Sequence, residues 1–359
     1  MRLPTLPPST PRLRETGWRS GARRLAFALV SAAIIVVVSE RMFWFWASNP
    51  LSHVEVSAYY ALAVAPALWL IDRFRVDRLA PLVLVALVFG MFVEGVLTPV
   101  TYTGGPFVPF FPVWFTAWHG LMGLVVAWYL VHRWLIERRV RALAVLATVA
   151  GAFWGLWSMT LWLPENVGDE ELIADNGGPL TVLAPVAFAR YALVFSLIFA
   201  LAHWLWGRLG DVGQFRPSRP ATILFGVVVA AMLIGWTVVV PWALPMFALY
   251  VWLAVRLLRR HEPVAKGPGL LAQLVGPVRA RDLLSLAPMP IAATGTYALI
   301  WWLTPTDTVG RVVMYGTIVV QTAVAAVALW RSGREIGRRS AQSRSAASAS
   351  NVPGVNSLS

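Results

Sequence analysis

The sequence predicts an all-α protein, a polytopic bundle of about ten transmembrane helices, on three observations. Apolar runs of crossing length recur along the chain, charge is confined to the segments between them, and the basic residues fall almost wholly into alternate segments. Of 359 residues, 58% are hydrophobic and only 13% charged, with a mean hydropathy of +0.66. A soluble domain carries about a quarter charged residues. Crossing ~30 Å of hydrocarbon takes roughly 20 apolar residues in a helix. No water reaches that layer, so backbone groups must bond internally; these runs are too long and too uniformly apolar for barrel strands.

Taken in order, residues 1–24 are basic and proline-rich, with no apolar face to bury, and read as a disordered cytoplasmic tail. The run Leu25–Trp46 is too long for a signal-peptide core and is followed by no small-residue cleavage site, so it reads as a retained first helix. Further spans are predicted at Ser57–Ile71, Ala80–Pro99, Pro112–Val131, Ala142–Leu163, Leu180–Trp206, Ala221–Val240, Trp242–Val255, Pro288–Leu303 and Val312–Trp330. The eighth is short and follows a tight turn at Pro241 and Pro245, so spans seven and eight read as two crossings or as a re-entrant pair. The stretch Gly269–Leu286 mixes leucines with Arg279 and Arg281 and is broken at Pro277; it reads as an amphipathic segment at the cytoplasmic interface. Residues 332–359, rich in Ser, Ala and Arg, read as a second disordered tail outside a transmembrane domain at 25–331.

The formal net charge is +13. On a soluble chain that would suggest nucleic acid. Here the basic residues lie between apolar runs and set topology instead, so no nucleic-acid partner is expected and anionic lipid at the cytoplasmic face is. With the N-terminus inside, every one of the 30 basic residues except Arg41, Arg190 and Arg311 lies in an inner segment. The longest outer loop carries Glu165, Asp169, Glu170, Glu171 and Asp175. This partition predicts an even number of crossings, both termini cytoplasmic and residence in a plasma (inner) membrane. Trp44, Trp118, Trp162, Trp301 and Trp302 near outer ends, and Trp134, Trp206 and Trp330 near inner ends, suit indole's preference for the headgroup level. The absence of cysteine excludes thiolate catalysis, Cys-ligated metal and disulfides.

A repeat is also predicted. Gly104-Gly105-Pro106 with Pro112-Val113-Trp114-Phe115 matches Gly177-Gly178-Pro179 with Pro185-Val186-Ala187-Phe188, and Trp118 falls on Tyr191. Phe89-Gly90 similarly matches Trp154-Gly155. Spans three and four would then recur as five and six, as hairpin units. Pro112 and Pro185 fit the first turn of a helix, where a missing N–H costs nothing.

Ionisable side chains inside spans are costly and are functional candidates. Glu40 and Glu94 lie roughly 22 and 21 Å from the inner ends of their spans, while His119 and Arg190 lie roughly 10 and 15 Å from the outer ends. These four are predicted to meet in the outer half of the bilayer as a substrate- or proton-binding cluster. Arg41 is a second cation for the two carboxylates, and Tyr102, with Thr98, Thr101 and Thr116, extends the cluster outward. The competing reading is structural glue between helices, with Arg41 snorkelling to the headgroups. Neither a metal nor another cofactor is expected: Glu40, Glu94 and His119 lack a ligand motif, and His132 and His203, which could bracket a haem, are more simply interfacial polar residues. Ser39 and Ser158 lack the setting of a hydrolase nucleophile.

The function expected from these residues is a small-solute or proton-coupled transporter-like activity. A membrane-embedded enzyme acting on a lipid or lipid-linked substrate from the outer leaflet is the alternative, and an assembly protein without a site is the third. A carrier needs a second, inward path, for which the sequence supplies only Thr148, Ser196, Gln321 and Thr322.

Overall fold

The fold was described from a computed structural model, in which residues 18–43, 50–98, 110–163, 184–212, 215, 217–265, 267–303 and 306–350 are described. Helix α1, Trp18–Val36, continues as a π-helical turn, Val37–Arg41. Helix α2 is Pro50–Arg73, and α3, Leu79–Phe92, continues as a second π-helical turn, Val93–Leu97. Helix α4 joins Phe111–Phe115, a π-helical stretch Thr116–Val131 and His132–Ile136. Then come α5, Val140–Trp157, closed by a 3-10 turn Ser158–Trp162; α6, Pro185–Leu209; and α7, Arg219–Val239. The chain ends with α8, Ala243–His261; α9, Pro288–Leu303; and α10, Asp307–Ser350. Pro112 and Pro185 both fall in a first helical turn, as expected.

Among the described residues nine helices are long and apolar enough to cross a membrane, so the protein is an all-α polytopic bundle. Helix α8 is not one of the nine. Its apolar part, Ala243–Val255, rises only about 20 Å, and Arg256, Arg259 and Arg260 follow at once. The turn at Pro241 nevertheless folds α8 back against α7.

Both tails carry more helix than their composition suggests. Residues 18–24 open α1, and α10 runs without a break through residues 332–350. Adding turns to a helix already nucleated in an apolar span costs little, and Arg339 pairs with Glu335 one turn away at 3.1 Å. Residues 1–17 and 351–359 lie outside the described residues.

Helix α3 is the centre of the bundle: from Ala80 to Phe92 every side chain is buried, among α2, α4, α8 and α10. Helix α1 packs on α2, α4 and α6. Helix α5 lies most closely along α9, where a Cβ on Gly155 would meet the Ala293 carbonyl and, at 2.8 Å, the Tyr297 nitrogen. The predicted repeat therefore does not carry into packing, because α3 lies along α4 whereas α5 lies along α9 rather than α6. Its Gly-Gly-Pro turns, at 104–106 and 177–179, lie outside the described residues. Helices α7 and α10 form an apolar periphery, with Leu233 the buried residue of α7.

The stretch Gly269–Leu286 forms two one-turn helices, Leu270–Gln273 and Ala280–Leu283, and a short 3-10 turn. It has one apolar side turned inward and another turned out, with Leu284 73% and Val275 40% exposed. Leu270, Leu274 and Val278 are buried against the bundle, the Leu270 amide donates to the Val76 carbonyl at 2.6 Å, and Gln273 donates to the Asp77 carbonyl at 3.0 Å.

Candidate functional site

Helices α1 and α3 finish at the end of the bundle where α4 begins, so their terminal turns face one another. Three ionisable residues sit there, each in a π-helical segment: Glu40 in Val37–Arg41, Glu94 in Val93–Leu97 and His119 in Thr116–Val131. The ladder slips from four residues to five, as in Met42 N–H to Val37 O and Thr98 N–H to Val93 O, both 3.0 Å. Such bulges are rare and cluster at functional sites.

Around α1, aromatic donors from three neighbouring helices hold the carbonyls of this last turn. Trp118 Nε1 donates to Ser39 O at 2.6 Å, Tyr191 Oη to Arg41 O at 3.0 Å, and Trp157 Nε1 to Phe43 O at 3.1 Å. The aligned pair Trp118 and Tyr191 thus does one job from two helices.

The side chains form an unbroken chain across four helices. Tyr60 of α2 donates its hydroxyl proton to Glu40 Oε1 and lies 3.0 Å from His119 Nδ1. His119 Nε2 is 2.6 Å from Glu94 Oε1, and Thr98 Oγ1 donates to Glu94 Oε2 at 3.0 Å. Glu40 Oε1 is itself 3.9 Å from His119 Nδ1. The His119 side chain is 2% exposed, against 13% for Glu40 and 15% for Glu94, so the imidazole is sealed and the two glutamate side chains are the more accessible ends of the chain. Trp118 stacks on His119 with centroids 5.7 Å apart.

The convergence of Glu40, Glu94 and His119 follows the sequence-based expectation, and Thr98 extends it. Arg190 does not join: it is exposed on the outer face of α6, while its neighbour Tyr191 turns inward. One residue is about 100° of helical rotation, which matching depths cannot resolve. Arg41 does not snorkel, and its charge still acts favourably on the neighbouring Glu40. It is fully buried on the α6 side of α1, with its guanidinium 5.4 Å from the Phe195 ring centroid. Thr116 turns back to the Pro112 carbonyl at 2.6 Å, and Tyr102 and Thr101 lie outside the described residues.

Tyr60 is the residue that sequence reasoning missed. Its signal was the stripe Ser57, Tyr60, Ala63, Val64 and Ala67, all buried, whose spacing and small size mark the packed face of α2 with Tyr60 near its top. His53 lies on the same face, buried, with neither ring nitrogen hydrogen-bonded and its ring 5.4 Å from Phe195.

On the other side of the cluster the packing is apolar. Ala86, Phe89, Leu124 and Trp128 are buried, and a Cβ on Gly120 would meet the Ala86 carbonyl at 2.5 Å, which is how α4 comes close enough to α3 for His119 to reach Glu94. The four polar residues considered for an inward path are scattered. Thr148 and Thr322 bond to their own helices, at 2.8 and 2.7 Å, and Gln321 takes the Trp114 indole N–H at 3.3 Å.

His132 and His203 do meet, at the opposite ends of α4 and α6. Their Nδ1 atoms are 3.2 Å apart, both rings are fully buried, and His132 stacks on Trp206 at 3.5 Å. Iron with an imidazole on each side needs about 2 Å to each nitrogen, and this direct contact leaves no such gap. The pair does not suit a haem, and both rings are buried near the ends of their helices. Among the described residues no group of three or more His, Asp and Glu has an arrangement that could hold a metal ion. Comparison with protein-family models, with curated proteins and with solved structures gives no match to this chain.

Proposed function

We propose that the protein is a multi-pass plasma-membrane enzyme that performs acid–base chemistry on a lipid or lipid-linked substrate reaching Glu40 and Glu94 from the outer half of the bilayer. The observation that carries this is the chain Glu40–Tyr60–His119–Glu94, bonded end to end, with a partly exposed glutamate side chain at each terminus. His119 has both nitrogens engaged, so it conducts and orients, while the carboxyl groups meet the substrate. A proton taken by one carboxylate is matched by one released from the other through Tyr60 and His119, and the buried charge never has to exceed what the set can share. Both termini remain cytoplasmic in this reading, and anionic lipid meets the arginines of the inner loops.

The apolar packing on the far side of the cluster favours an enzyme over a carrier. Alternating access needs a second path, and beyond the cluster Ala86, Phe89, Leu124 and Trp128 pack closely, the buried Trp128 indole N–H being taken up by Ser31 Oγ at 2.9 Å. Membrane lipids from cells expressing the wild type, Glu94→Gln or His119→Gln test this by mass spectrometry. A lipid product present only with the wild type, at equal levels of folded protein, supports the enzyme. An unchanged lipid profile together with solute-dependent proton uptake into proteoliposomes would replace it with the carrier.

A further inference from the structure

A second feature sits beside the cluster. Helices α4 and α5 are joined by the short turn after Ile136 and then diverge. The cleft between them, backed by α1, α6 and α9, has a volume of about 200 Å³ and no charged or polar lining residue. Its walls include Val38, Met42, Met122, Ala150 and Phe153, and its mouth is Val149, which is 61% exposed on the lipid-facing surface of α5. From Leu143 to Phe153 the cleft runs roughly 15 Å along α5, about half the hydrocarbon thickness.

The cleft has one end at the level of the cluster. Val38 and Met42 lie at the height of Glu40 on the other face of α1, and the rings Phe153, Phe43, Trp118 and His119 run from the cleft to the cluster, with successive centroids 5.8, 4.1 and 5.7 Å apart. The other end, at Val131 and Leu143, lies near the turn joining α4 to α5. Methionine thioethers at 42, 122 and 289 give the lining soft, adaptable groups. The cleft is continuous with the lipid-facing belt, so the material available to fill it in a bilayer is hydrocarbon.

We propose that the cleft between α4 and α5 holds the hydrocarbon chain of a lipid, with the chain's polar head at the end lined by Met42 and Phe153, level with the cluster, and its terminus at Val131 and Leu143. The placement of the head rests on the catalytic reading above; the chain site itself does not. Nanodiscs containing phosphatidylglycerol with a diazirine either near the ester or at the chain terminus test it, with peptide mapping after irradiation. The ester-proximal probe is expected to label the segments around Met42 and Phe153, and the terminal probe those around Val131 and Leu143. Ala150→Phe should abolish most of both signals, and His119→Gln should leave both in place. The mapping in wild-type protein stands even if Ala150→Phe fails to fold. A reversed order of labelling, or labelling no stronger than at the exposed face of α7, overturns the proposal. Ordered labelling in a protein that modifies no lipid would keep the chain site and remove the catalytic role.

Discussion

Two buried histidine centres occupy opposite ends of α4. At one end His119 lies between a carboxylate and a tyrosine that bonds a second carboxylate. At the other, His132 meets His203, with Trp206 stacked above and backbone groups of Leu274 and Ala127 beside the two rings. The residue type is the same and so is the degree of burial. What differs is the chemistry within 4 Å: the first centre offers proton sites on both sides of the ring, the second has no counter-charge and is best kept neutral. Burial alone therefore does not mark a working histidine; its partners do.

The comparison can be broken most directly by substitution on α4. His119→Gln should lower turnover by about 10²–10⁴-fold, the usual contribution of an acid–base group, while His203→Gln should leave it nearly unchanged. Equal losses in the two variants, measured on the lipid product, would erase the distinction. Tyr60→Phe comes next. It removes the link between Glu40 and His119 and is expected to cost about 1–3 kcal/mol of stability, with a shifted pH–rate profile rather than complete inactivity. A profile identical to wild type would place Tyr60 outside the relay.

A double-mutant cycle sharpens the other side. His132→Leu alone leaves His203 buried without its partner and should destabilise by about 1–3 kcal/mol, whereas replacing both histidines with leucine should be closer to neutral. Thermal unfolding in detergent reads the coupling.

The smallest effect concerns another histidine, His261, outside the apolar spans. It faces Asp77 at 3.4 Å and Arg78 at 3.2 Å, with the Arg75 carbonyl at 3.4 Å. Burial is the main cause holding its imidazole below the ordinary value, with Arg78 and Arg339 adding to that and Asp77 opposing it. The folded protein thus binds this proton less readily than the unfolded chain. Its stabilising contribution is complete above the ordinary value near 6.5 and falls as pH drops below it. Proteolysis within residues 267–279 should accelerate modestly between pH 7 and 5, and His261→Gln should flatten that dependence.

Much of this architecture was legible beforehand, because membrane helices must be apolar over a fixed length and ionisable residues within them stand out. Glu40, Glu94 and His119 were found by depth alone. Depth says nothing about rotation, so Arg190 was assigned to the cluster when Tyr191 faces inward. Tyr60 carries no formal charge and therefore passed as one more aromatic side chain. The π-helical turns left no trace in composition, since a slipped hydrogen-bond register changes the backbone and not the residue types. The pairing of α5 with α9 was hidden for another reason: their contact is made by backbone approaching Gly155, and a glycine in an apolar run does not name its partner.

The three donors on the last turn of α1 also have a mechanical meaning. Trp118, Trp157 and Tyr191 belong to α4, α5 and α6, and each grips a different carbonyl of the same strand of backbone. Sliding or screwing α1 by a single residue would detach all three together. These four helices are thus pinned like spokes to a hub, and α3, buried along α4, is held with them, so any opening that admits a substrate has to come from the periphery of the bundle.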